Sequence, residues 1–430
     1  MSSAIIFILL LVLMLTGMPI SISLGLTVLS FLFFLTSVPI ESVALKLFTG
    51  IEKFEIMAIP FFILAGNFLT HGGVAKRMIR FATSMVGHWH GGLGLGGVLA
   101  CALFAAVSGS SPATVVAIGS ILMPAMVKAG FPKRFGAGVI TTSGALGILI
   151  PPSIVMVMYS VSTNTSVGAL FMAGIVPGIV LATMLGMTTW YRARSNNYPR
   201  MARASWAERL KAFRESIWGL LLIVIVMGGI YSGMFTPTEA AAVSAVWAFI
   251  TAVYIYKDLR LKDVPRVLLS SANMSAMLLY IITNAVLFSF LMTHENIPQA
   301  MADAMIGTGV GLIGFLLIAN VLLLAAGNFM EPSSIVLILA PILFPIATKL
   351  GIDPVHFGIL MVVNMEVGMC HPPVGLNLYV ASGITKMGIT ELTIATWPWL
   401  LTMLVFLMIV TYWPPLSIWL PQQLGMIALK

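Results

Sequence analysis

Charge is what this sequence has least of. Of 430 residues only 8% are Asp, Glu, Lys or Arg, while 59% are hydrophobic. A soluble domain carries about 25% charged residues, and the mean hydropathy of +1.05 places the chain among polytopic membrane proteins. Cysteine is nearly missing too. Cys101 and Cys370 both sit in apolar stretches, which excludes a disulfide framework and a cysteine-based metal site. The opening M-S-S-A-I-I-F lacks a basic segment and a small-residue cleavage site, so Ile5 onward reads as a retained span rather than a signal peptide. There is no G-x-S-x-G, which leaves a serine hydrolase without its nucleophile context. The formal net charge of +8 comes from basic residues in short loops between apolar runs, where they set topology rather than bind nucleic acid.

What is present is a set of interrupted apolar runs. The central stretch, Ala106 to Ser153, holds two small-polar patches broken by Gly and Pro, Ser108–Pro112 and Thr141–Ser153. In a bilayer, irregular backbone is tolerated only where protein buries it or where it lines a cavity, and such breaks point to a transporter's binding site. The arms around the first patch, Gly92–Val107 and Ala113–Val127, reach roughly 24 and 22 Å as helix. Both fall short of the ~30 Å hydrocarbon core, so residues 91–130 are expected to form a re-entrant helical hairpin. Residues 136–161 follow as a broken helix interrupted at Ser143–Pro152.

The chain divides accordingly. Residues 1–86 supply two scaffold spans, an arm (Glu41–Glu55) and a third span, and 87–190 carry the first hairpin, broken helix and closing span. The loop 191–216 holds seven Arg or Lys against Glu208 and Glu215 and is expected at the cytoplasm. Residues 217–300 repeat the scaffold spans and arm. Residues 301–430 repeat the rest, with a hairpin at 309–350 (tip Asn328–Pro332) and a broken helix at 357–380 (break Asn364–Pro373).

The halves match in register. Pro112 and Pro332 are 220 apart, and a shift of 221 carries Pro124 to Pro345, Gly130 to Gly351, Gly147 to Gly368 and Pro151–Pro152 to Pro372–Pro373. Five crossings per half is an odd number, so the second repeat is inverted relative to the first. Basic residues beside the first hairpin opening and acidic ones beside the second agree, placing the first opening at the cytoplasm and both termini in the periplasm.

Hydroxyls, amides and freed carbonyls at these breaks are hard oxygen ligands suited to a weakly held Na⁺. Helix N-termini after Pro112, Pro152, Pro332 and Pro373 favour an anion. No Lys or Arg lies in the breaks, so a bound carboxylate would be neutralised by co-bound cations and helix ends. The alternative is that small residues merely let helices pack closely. Glu331 and Glu366 are intramembrane acids that fit either a functional role or a structural one capping helix ends. His371 fits cavity lining or polar packing, and His88-x-His90 fits an interfacial pair better than a metal site.

At S-G-S-S-P-A-T-V-V-A-I-G, L-G-I-L-I-P-P-S, G-I-D-P-V-H-F-G and H-P-P-V-G-L-N-L-Y-V the chain resembles the large membrane subunit of tripartite ATP-independent periplasmic (TRAP) transporters, C4-dicarboxylate type, over essentially its whole length. The resemblance implies the elevator-type fold of the ion-transporter superfamily, with no enzymatic activity, in a bacterial inner membrane. It implies uptake of a carboxylate coupled to two or more Na⁺. Two partners are implied as separate chains: a small four-helix membrane subunit and a soluble periplasmic substrate-binding protein. By motif, one sodium lies among Ser108, Gly109, Ser110, Ser111, Ser143 and Gly144, and a second among Gly327, Asn328, Asn364 and Gly368. Substrate is expected near Ser110, Ser111, Pro112, Thr142, Pro151, Pro152, Glu331, His371, Pro372 and Pro373. The chain departs from the family at His371, usually Thr, and Glu331, often Asp.

The expected function is thus Na⁺-driven uptake of C4-dicarboxylates such as succinate, fumarate or malate. Its rivals are a free-standing Na⁺/carboxylate symporter, a TRAP subunit for sialic acid or another organic acid, an intramembrane hydrolase using Ser110, and a channel.

Overall fold

The computed structural model describes residues 2–36, 38–307, 309 and 311–427. Among these residues there are helices and turns but no strand. The two extreme chain ends, expected in the periplasm, lie outside the described residues, as does Val310 within the second hairpin.

In the first half, α1 (Ser2–Leu15) and α2 (Ile20–Leu35) precede the arm α3 (Ile40–Thr49), and a 3-10 turn, Phe54–Met57, leads into α4 (Ala58–His71) and α5 (Val74–Val86). Then come the hairpin α6 (Gly92–Ser108) and α7 (Ser111–Lys128), and the broken helix α8 (Lys133–Ser143), a 3-10 turn Gly144–Ile148 and α9 (Ile154–Thr163). The long α10 (Val167–Ser195) closes this half. The second half holds α11 (Trp206–Tyr231), α12 (Pro237–Ile250), α13 (Val264–His294), α14 (Ile297–Gly307), α15 (Leu312–Gly327), α16 (Pro332–Lys349), α17 (Pro354–Gly368), α18 (Leu376–Thr385), α19 (Ile389–Tyr412) and α20 (Pro415–Gln423).

Local chemistry explains the boundaries. Capping boxes, Ser205 with Glu208 and Thr236 with Glu239, start α11 and α12 by satisfying backbone N–H groups reciprocally. Pro112, Pro332 and Pro354 sit in the first turns of α7, α16 and α17, where a missing N–H costs nothing. Eight described helices are long and apolar enough to cross a membrane, while α6, α15 and α17 are shorter apolar pieces.

Hydropathy had no means of finding α5. It buries Val74, Ala75, Met78, Ile79 and Ala82 on one face. From the other face Arg80 reaches Glu215 at 2.6 Å, and Arg77 pairs with Asp258 beneath the Tyr256 ring. Within 191–216 only 196–205 lies between helices, because α10 and α11 extend into it from both sides.

The second break is shorter than expected. α17 stays helical through Asn364 to Gly368, so those two residues lie in a helix, and the irregular backbone spans 369–375 before α18. No Gly or Pro stands between Asn364 and Val367, and the Asn364 side chain bonds back to Leu360 O at 2.9 Å, which keeps the helix intact. The second arm also outruns the expected 380, since α18 reaches Thr385.

The halves interlock rather than sit side by side. From the first half α4 packs on α12, α2 on α13, α5 on α11, α8 on α19, α9 on α16 and α7 on α18. One continuous hydrophobic core runs through both.

Candidate ion and substrate site

Each hairpin tip meets the broken helix of its own half. In the first, Ser108 ends α6, Gly109 takes φ 61° and Ser110 is extended before α7. Gly109 is needed twice. Its φ favours glycine, and a Cβ there would lie 2.9 Å from Pro152 O. From the opposite side Gly147 fits against the tip, where a Cβ would stand 2.5 Å from Ser110 O. Ser108 Oγ and Thr114 Oγ1 bond at 2.9 Å, and Thr114 Oγ1 also donates to Ser110 O at 2.9 Å. The Ser110 hydroxyl makes no hydrogen bond among the described residues.

The second tip meets its break more tightly still. A Cβ on Gly327 would lie 2.9 Å from Gly368 Cα, and one on Gly368 would lie 2.7 Å from Gly327 Cα. The Asn328 amide faces only acceptors on its nitrogen side, which reaches His371 O and His371 Nδ1 at 3.1 Å and Pro372 O at 3.3 Å. Asn328 O accepts from Gly375 N at 3.2 Å. His371 thus ties the second tip to the second break, leaving Pro372 half-buried and Pro373 exposed.

Two buried oxygens at matching positions have no partner. Ser143 and Asn364, 221 apart, are both fully buried, and Ser143 Oγ and Asn364 Oδ1 accept nothing among the described residues. For Asn364 the amide orientation is settled, because Nδ2 donates to Asn320 Oδ1 at 2.8 Å and to Leu360 O at 2.9 Å. Buried polar atoms are nearly always paired, and Thr27 Oγ1 and Thr251 Oγ1 are unpartnered as well, but neither of those threonines lies in a broken helix, as Ser143 and Asn364 do. The residues fit Na⁺ by type: neutral hydroxyl, amide and carbonyl oxygens.

The acids differ from one another. Glu331 is the N-cap of α16, accepting from Ser334 N at 3.3 Å and from Ser333 Oγ at 2.6 Å, which is the helix-capping alternative of the two. Glu366 is fully buried in α17, and both its carboxyl oxygens lack a partner among the described residues.

Of the remaining expected residues, Ser111 and Pro112 open α7, while the Thr142 hydroxyl donates back to Gly138 O at 2.9 Å within its own helix. Gly144 packs on Val115, a turn above the tip. Pro151 turns toward an apolar groove between α6, α10 and α11, and Pro152 toward the first tip.

Sequence reasoning missed Asn377. It is fully buried in α18 and joins the two halves: Nδ2 donates to Ser111 Oγ at 2.7 Å and to Thr141 O at 3.4 Å, while Oδ1 accepts from Ser111 Oγ at 3.1 Å. Its signal was an Asn four residues past the second double proline, inside the motif already quoted.

The profile of the family described as "Tripartite ATP-independent periplasmic transporter, DctM component" matches residues 7–416. The chain belongs to the DctM family. It is 75% identical to a Rhodobacter capsulatus protein, the C4-dicarboxylate TRAP transporter large permease DctM, covering 99% of this chain and 100% of that one. A Vibrio cholerae protein of the same description is 50% identical over 99% and 98% of the two chains. The V. cholerae sialic acid TRAP transporter large permease SiaM is 35% identical over 95% and 96%. Among solved structures, the Alcanivorax borkumensis YdaH transporter superposes with a TM-score of 0.61 at 16% identity, covering 89% of this chain and 91% of that one. That likeness concerns the fold, a polytopic all-helical transporter architecture. The three relatives above are each named as the large permease of a TRAP transporter.

Proposed function

We propose that this chain is the large permease of a Na⁺-driven uptake system for C4-dicarboxylates, fed by a periplasmic binding protein and completed by a small membrane subunit in a bacterial inner membrane. The observation that carries the coupling is the pair of unpartnered buried acceptors, Ser143 Oγ and Asn364 Oδ1, each in the broken helix that meets a hairpin tip. A cation at each place would offset the two charges of a dicarboxylate lying between the tips, a region with no Lys or Arg of its own. The substrate class is supported by 75% identity to a relative named for C4-dicarboxylates against 35% to one named for sialic acid.

The movement we infer is an elevator. The hairpins, broken helices and closing spans of both halves pack on one another (α7 on α18, α8 on α19, α9 on α16), as do scaffold elements (α4 on α12, α2 on α13). A body of the former moving against a body of the latter is the elevator we infer, with α5 on α6, α4 on α6 and α13 on α16 as the contacts that would slide. The Ser110 hydroxyl has no base bonded to it, so a hydrolase finds no support here.

The test is uptake of labelled succinate into proteoliposomes holding this chain and its small subunit, with and without the binding protein and an inward Na⁺ gradient. Uptake requiring both is expected. Uptake with Na⁺ but without the binding protein would establish the free-standing symporter instead.

A further inference from the structure

A large cavity lies away from the tips. It is a groove of about 880 Å³ between α6, α10 and α11, with Ile150 and Pro151 at one end. Its wall is almost wholly carbon, contributed by side chains such as Leu99, Leu103, Ile179 and Ala182. The one hydroxyl in it, Thr183, already donates to Ile179 O at 2.8 Å. A dicarboxylate would find nothing to bind there. The lining on α6 runs from Leu95 to Ala106, which at 1.5 Å per residue is about 17 Å. That is close to half the ~30 Å hydrocarbon core. Along α6 the groove is therefore long enough to take the acyl chains of one leaflet.

Its other end changes character. Trp89 and Trp190 line both the groove and an adjoining hollow of about 370 Å³, which is otherwise walled by His88, His90 and Arg200. The Arg194 guanidinium lies 5.2 Å from the Trp190 ring centre, and Arg200 hydrogen-bonds His90. Desolvation, then the nearness of Arg200 and Arg194, holds the His90 imidazole below its ordinary range. Positive charge at this mouth therefore comes from the arginines. No acid lines the hollow, and neither arginine is in an ion pair among the described residues. Indole rings with cations just beyond them are the pairing that suits the level of a phospholipid headgroup.

We propose that this groove binds one anionic phospholipid from the leaflet facing the basic loop, its acyl chains lying along α6 and α10 as far as Pro151 and its phosphate between Arg194 and Arg200. A dry length that suits the acyl chains of one leaflet and the unpaired arginines at its mouth favour a lipid over a protein helix. The far end of the groove is also the back of the first site, because Pro152, next to Pro151, packs on the Gly109 tip. A lipid tail would support the break from the side opposite the ion.

Native mass spectrometry of the full chain in detergent, titrated with phosphatidylglycerol or phosphatidylcholine of equal acyl chains, tests this. Phosphatidylglycerol should be retained at about tenfold lower concentration, a difference of roughly 1.4 kcal/mol. The double variant Arg194→Gln/Arg200→Gln changes two exposed side chains and should bring phosphatidylglycerol down to the phosphatidylcholine level. Gly186→Trp adds bulk where a Cβ would meet only Leu95, at 3.9 Å, and should weaken both lipids. Equal retention of the two lipids by the unaltered chain, or undiminished phosphatidylglycerol binding in the arginine variant, would overturn the proposal. So would efficient crosslinking of Thr183→Cys to a co-expressed small subunit, since the groove would then be a protein interface.

Discussion

At the scale of single residues, Ser143 and Asn377 make opposite predictions. The Ser143 hydroxyl accepts nothing in the folded chain, so Ser143→Ala removes no acceptor contact from the protein and should leave thermal unfolding unchanged or slightly raised. If that oxygen is a sodium ligand, the same variant should raise the Na⁺ concentration for half-maximal uptake about tenfold, which corresponds to ~1.4 kcal/mol. A titration of uptake against Na⁺, beside a melting curve, measures both. Unchanged Na⁺ dependence would remove Ser143 from the site. Asn377 holds partners on two other elements, and leaving buried groups unsatisfied costs about 1–3 kcal/mol apiece. Asn377→Leu should therefore lower the unfolding temperature by several degrees and abolish uptake, whereas a variant with normal stability and normal transport would deny Asn377 any linking role. The motif holding Asn377 was visible in the sequence, but its importance was not, because it rests on a contact across 266 residues. Ser143 and Asn364 are named by the family motif, and the structure adds that these two residues, 221 apart, are both buried with an unpartnered oxygen.

At the scale of elements, what could be read were the punctuation marks: Gly and Pro at the tips, and the double prolines at the breaks. The short-arm argument holds for α6 and α15 alone, because α7 and α16 extend to 18 residues each and are long enough to cross a membrane. α5 escaped because its residues are mixed in polarity, and only helical spacing, not hydropathy, reveals such a segment; α14 escaped because its 11 residues are too few to read as a span. The extent of the second break was misjudged because Asn364 reads as a polar interruption, although its side chain bonds back within the helix. The crossing of Gly327 over Gly368 gives a clean test of packing. A methyl group added on either side would stand within 3 Å of the facing backbone, so Gly327→Ala must push the tip off the break. Overpacking of this kind costs typically 1–3 kcal/mol. Loss of uptake with a lowered melting temperature is expected. Gly383→Ala in α18, where a Cβ meets nothing within 4 Å, should be neutral or slightly stabilising, as Ala exceeds Gly in helices by about 0.5–1 kcal/mol. Similar behaviour of the two variants would show that the close crossing has no functional weight.

At the scale of the whole molecule, charge movement is the informative quantity. A dicarboxylate carries two negative charges, so two Na⁺ only cancel it and a third makes each cycle electrogenic. Moving one net charge gains ~2.3 kcal/mol per 100 mV. With more than two Na⁺ per substrate, an inside-negative potential imposed by a K⁺ gradient and valinomycin should accelerate uptake, whereas indifference to potential would fix the stoichiometry at two. The interlocked halves bear on something earlier than transport. α4, α8 and α9 find their partners in α12, α19 and α16, which the ribosome delivers only after the first half is already in the membrane. Until then α8 has only neighbours of its own half, among them α6, α7 and α10, and the surface that will meet α19 stays uncovered. The final packing of the first half should therefore depend on the second. Two fragments divided within 196–205 should each be degraded when made alone, yet survive when made together.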